Sequence, residues 1–60
     1  MLFQAILTEV DHLHKVSARL EALAEQHPPL SEPLITIAGS VRNTATLLGV
    51  LVVAKGPKPI

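Results

Sequence analysis

His27-Pro28-Pro29-Leu30-Ser31-Glu32-Pro33 lies at the middle of a 60-residue chain, and its reading decides the fold. A residue before proline is pushed out of the α region and each proline lacks a backbone donor, so a helix arriving from the N-terminal side ends at His27. Two start markers follow at once. Ser31 has the side chain to accept a hydrogen bond from a free first-turn amide, with Glu32 at the positive end of the dipole and Pro33 tolerated in the first turn. Leu30 and Ile35 have the spacing of a hydrophobic staple across that start.

Before the break, apolar residues fall at Phe3, Ile6, Val10, Leu13, Val16, Leu20, Leu23 and Ala24. Steps of three and four are the helical period, and strict alternation never occurs. The opposite side carries Gln4, Thr8, Asp11, His12, Lys15, Arg19, Ala22 and Gln26, which predicts an amphipathic helix over residues 2–26. Asp11 and Lys15 form an acid-before-base surface pair at i, i+4.

After the break, Leu34, Ile37, Ala38, Val41, Ala45, Leu48 and Val52 repeat the three-and-four spacing and predict a second helix over residues 32–55. Lys55 suits the negative dipole end, Gly56 the left-handed position beyond it, and Pro57 blocks continuation. Gly49-Val50-Leu51-Val52-Val53 is β-branched enough to be a strand, but no second strand is available to pair with it. The fold class is therefore all-α: an antiparallel helical hairpin forming one domain over residues 1–55, with an extended Pro-rich tail at 56–60. Its terminal Ile60 is a candidate for packing on a neighbouring copy.

The two halves differ in charge. From Leu34 to Ala54 Arg42 is the sole charged residue, and Leu47 to Ala54 is apolar apart from Gly49. Such a helix is buried all round or lies in lipid, and one partner helix cannot cover it. Thr36, Gly39, Ser40, Asn43 and Thr46 permit close approach of another helix, as does the small pair Ala45-x-x-x-Gly49. A hairpin has no closed interior, so twofold pairing into a homodimeric four-helix bundle is the simplest closed assembly, with a higher oligomer as the variant. The expected oligomer interface takes Leu34, Ile37, Val41, Ala45, Leu48, Leu51 and Val52 from the second helix, and Phe3, Ile6, Val10, Leu13 and Leu20 from the first. Arg42 is expected to reach water or an acidic group of the first helix while its stem covers Ile35. The sharper reading makes it an intersubunit ion pair that fixes register.

Composition narrows the function classes. The chain is 48% hydrophobic and 17% charged, with five basic residues against five acidic ones and no cysteine. At this size a monomer commonly needs a disulfide, a metal or a partner chain, and the first is excluded. Lys15, Arg19 and Arg42 form no basic face and Phe3 is the sole aromatic residue, which disfavours nucleic acid as a partner. Met1-Leu2-Phe3-Gln4-Ala5-Ile6-Leu7 lacks a basic flank and is interrupted by Glu9 and Asp11, so a signal peptide is not expected and a cytoplasmic location is.

Chemistry has few footholds. Ser17 and Ser40 lie in no nucleophile elbow, and no phosphate-cradling loop exists, so catalysis is not expected and no cofactor is implied. Glu9-x-x-His12 has the spacing used in di-iron bundles, making a metal-binding bundle a minor alternative, but His12 projects away from the apolar stripe. His12 and His14 point about 200° apart on a helix, and His27 sits where a protonated ring meets the carbonyl dipole. The function expected is a self-associating helical module with a structural or protein–protein interaction role, its partner being itself and, beyond that, another protein. The alternative is a membrane-active or membrane-inserted peptide using residues 34–54, which are long enough to span about 30 Å of hydrocarbon. Arg42 near the centre opposes it, at about 2.5 to 3.5 kcal/mol on an insertion scale.

Overall fold

The structure, a computed structural model, describes residues 2–55. The expected Gly56 cap, the Pro57 stop and the 56–60 tail with Ile60 lie outside the described residues. α1 spans Leu2–Gln26 and α2 spans Ser31–Lys55, with 25 residues in each and a 3-10 turn at Pro28–Leu30 between them. At 1.5 Å rise per residue each helix is about 37 Å long. The turn reverses the chain and α2 packs back along α1. The described residues thus form an all-helical fold, a two-helix hairpin. The Gly49–Val53 stretch is helical, because a backbone with no second strand to pair with satisfies itself within a helix.

The reversal is tighter than the sequence suggests. His27 N–H donates to the Leu23 carbonyl at 3.0 Å, the last bond of α1, and Leu30 N–H donates to the His27 carbonyl at 2.8 Å. His27 itself sits at φ −131°, ψ 76°, the extended side that its following proline imposes. Pro28 and Pro29 then occupy the first two positions of the turn, where a missing N–H costs nothing and a fixed φ near −65° is already helical.

Ser31 is accordingly not a side-chain cap. It lies at φ −58°, ψ −52°, inside the helical region, and its N–H donates to the Pro28 carbonyl. The Pro-Pro pair begins the helical path three residues earlier than a Ser31 start, so the first amide of α2 meets a turn carbonyl. The staple fails for the same reason: Leu30 is within the turn, and it and Ile35 are both more than half exposed.

The closest packing between the helices is made by small residues. Among the described residues, Ser17 and Ala24 of α1 and Ala38 and Ala45 of α2 are the fully buried positions. They are spaced by seven on each helix, the repeat that keeps one face toward an antiparallel neighbour. Half-buried Ile6, Val10, Leu13 and Leu20 on α1 and Leu34, Val41, Leu48 and Val52 on α2 flank them. Ser17 Oγ–H donates to the Ala38 carbonyl oxygen at 3.0 Å. A side chain as short as serine reaches the neighbouring backbone only if the helices approach closely, and a helical carbonyl keeps a second lone pair for the purpose.

Candidate functional site

The candidate site is a surface, and it is built by what the Ser17–Ala38 line leaves uncovered. Large apolar side chains exposed on the hairpin are Leu7 and Leu23 of α1, Leu30 of the turn, and Ile35, Ile37, Leu47, Val50, Leu51 and Val53 of α2. Soluble monomers rarely present contiguous apolar patches beyond a few hundred Å². α2 dominates because its apolar residues surround the axis, whereas α1 can cover one side alone. Of its most apolar 18-residue stretch, with mean hydropathy 1.5, 11% is buried.

The expected interface residues divide into three groups. Ala45 is fully buried against α1. Leu34, Val41, Leu48 and Val52, with Phe3, Ile6, Val10, Leu13 and Leu20, are half-buried along the α1–α2 contact, so the hairpin itself uses part of their surface. Ile37 and Leu51 are 51% and 48% exposed and remain free to meet another surface.

Arg42 follows the first of its two readings. Its Nη2 lies 2.7 Å from Glu21 Oε2 in the same chain, with both side chains about half exposed. Side chains on a helix lean toward its N-terminus, so in an antiparallel pair these two lean toward each other. The pair joins α1 to α2 within one hairpin, and the Ile35 that Arg42's stem was expected to cover stays 53% exposed. At this exposure such a bridge contributes about 0.2 to 1 kcal/mol. Asp11 and Lys15 pair at 3.1 Å on the outer surface of α1.

Ser17 is the residue that sequence reasoning missed. Its polar character sets it aside from the apolar stripe, yet the strict steps Val10, Leu13, Ser17, Leu20, Ala24 run through it, and that repeat was the available marker. Its hydroxyl is occupied by the Ala38 carbonyl and is inaccessible, so it has no part as a nucleophile.

Glu9, His12, His14 and His27 are exposed. Among the described residues no group of three or more His, Cys, Asp or Glu side chains comes together, and no enclosed cavity is present. Gly39 and Gly49 have open space where a Cβ would stand, so close α1–α2 packing does not require either. Comparison with protein-family models, with curated proteins and with solved structures finds no match to this chain.

Proposed function

We propose that the chain is a small self-associating helical module of the cytoplasm, without catalysis, whose role is structural or to present its charged α1 surface to another protein. Two hairpins pair as a homodimeric four-helix bundle or join a higher oligomer. The observation that carries this reading is the exposure of α2, from Ile35 to Val53, after α1 has packed against it. Burial of apolar area at about 25 cal/mol per Å² favours association wherever two such faces meet. The balanced charge supports it too, since net repulsion between copies is absent.

Light scattering on protein purified without detergent tests the reading. The expected mass is an integer multiple of 6.4 kDa. A well-behaved monomer at high micromolar concentration overturns it.

A second reading has its own observation. The helical stretch Pro28–Lys55 is long and apolar enough to cross a membrane, and a core helix of a soluble fold would be mostly buried. Arg42 and Asn43 near its centre oppose insertion. Recovery of the chain only with the membrane fraction would reverse the order of the two readings.

A further inference from the structure

α2 carries a second stripe with the spacing that packs it on α1. The first stripe, Leu34, Ala38, Val41, Ala45, Leu48 and Val52, is buried or half-buried in the hairpin. The second is Thr36, Ser40, Asn43, Leu47, Val50 and Ala54, again in alternating steps of four and three. Each of these stands two places from Ala38, Ala45 or Val52, which at about 100° per residue is about 200° round the helix. The second stripe therefore runs along the back of α2, away from α1. Every residue of it is exposed, with Leu47 at 60% and Val50 at 58%. A sustained alternation of three and four is the seam of a coiled coil, and a helix with two such seams on opposite faces has the pattern of one lying between two others.

The back seam holds no charged residue. Arg42, the sole charge between Leu34 and Ala54, is turned toward α1, where it meets Glu21. The seam is not uniform along its length: Thr36, Ser40 and Asn43 form its polar half and Leu47, Val50 and Ala54 its apolar half.

We propose that the back of α2 is where α2 of a second copy docks, antiparallel, so that two hairpins join as four helices with the α2 pair innermost. The inference rests on the self-association proposed above and names its surface and register. The seam complements itself. Levelling Ser40 with Asn43 of the second copy also levels Thr36 with Leu47 and Pro33 with Val50, so that a hydroxyl meets an amide and the remaining small groups meet large ones. Registers one heptad to either side set Asn43 against Leu47 or Pro33 of the second copy and leave its amide unpaired, which is how a single seam asparagine fixes register. α2 begins with Glu32 and ends with Lys55. An antiparallel copy sets the acidic end beside the basic end and opposes the helix dipoles, while a parallel copy sets like beside like. Lipid is the less fitting occupant: acyl chains offer Thr36, Ser40 and Asn43 no hydrogen-bond partner, and the Lys- and Arg-rich rim of membrane-surface helices is missing from this side of the hairpin.

Leu47→Glu places a carboxylate in the seam, and Leu7→Glu makes the same change on α1, at a leucine 47% exposed. Sedimentation equilibrium of both variants and the parent, with helical circular dichroism alongside, reads the outcome. The proposal expects a dimeric parent, a dimeric Leu7→Glu, and for Leu47→Glu a dimer at least about 100-fold weaker, from an unpaired charge at a closed contact. A Leu47→Glu dimer as tight as the parent, or equal dissociation by Leu7→Glu, overturns the surface and leaves self-association standing. A monomeric parent overturns both, and one that pellets with phosphatidylcholine and phosphatidylglycerol vesicles gives the seam to lipid.

Should Leu47→Glu lose its helical signal, nitroxides on Thr44→Cys, at the seam's edge, and separately on Ala54→Cys decide instead, in a chain without cysteine. In the proposed register the paired labels lie within about 20 Å at position 44 and about 38 Å apart at position 54. Short separations at both sites mean a parallel pair and overturn the antiparallel docking, and no coupling at position 44 overturns the seam as the contact.

Discussion

α1 and α2 have the same length and share one contact line, yet they answer differently to water. α1 sets its apolar residues on one side and charges on the rest, from Glu9 and Asp11 to Arg19 and Glu25. Packing on α2 satisfies much of its hydrophobic demand. α2 turns the same kind of stripe toward α1 and still has Ile37, Leu47, Val50, Leu51 and Val53 outside it. The contrast teaches that a hairpin can be closed for one of its helices and open for the other. The self-association proposed above then rests on the second helix, and the first limits it by covering a part of that helix.

Breaking that contrast on α2 should have the largest effect. Leu48 is half-buried in the hairpin, so Leu48→Asp would abolish the proposed oligomer and the helical circular dichroism together, because isolated helices of this length are marginal in water. A folded monomer would show that the hairpin needs no partner. Next comes the shared line: Ala38→Leu adds three heavy side-chain atoms at a position with no exposure and should cost about 1 to 3 kcal/mol in urea unfolding. A neutral result would mean the helices stand further apart than the Ser17 hydrogen bond requires. The smallest change belongs to the outer surface of α1, where His12 is exposed. His12→Ala should alter unfolding free energy by no more than about 0.5 kcal/mol, and a loss of several kcal/mol would mean that α1 also docks through its charged side.

The two helices and the break between them were legible because proline acts locally and apolar spacing records the helical period directly. The start of α2 was less so. Ser31 has the chemistry of a cap, but Pro28 and Pro29 hold φ at a helical value before it, and Ser31 enters the helix with its own N–H bonded to the Pro28 carbonyl. Ser17 escaped because a hydroxyl is ordinarily a surface group; the carbonyl that makes its burial tolerable is 21 residues away in sequence. The partner of Arg42 could be narrowed to an acidic group of α1, but singling out Glu21 needed the lean of both side chains toward their own N-termini.

The line of Ser17, Ala24, Ala38 and Ala45 has one more consequence. Alanine surrenders no rotamer freedom when it is enclosed, and serine very little, so the helices come together at small entropic expense, while the leucines and isoleucines beside them, half-buried or exposed, retain more of theirs. In the proposed assembly that freedom would narrow when a further surface arrives, so the ordering of the large side chains would belong to association rather than to the folding of one chain.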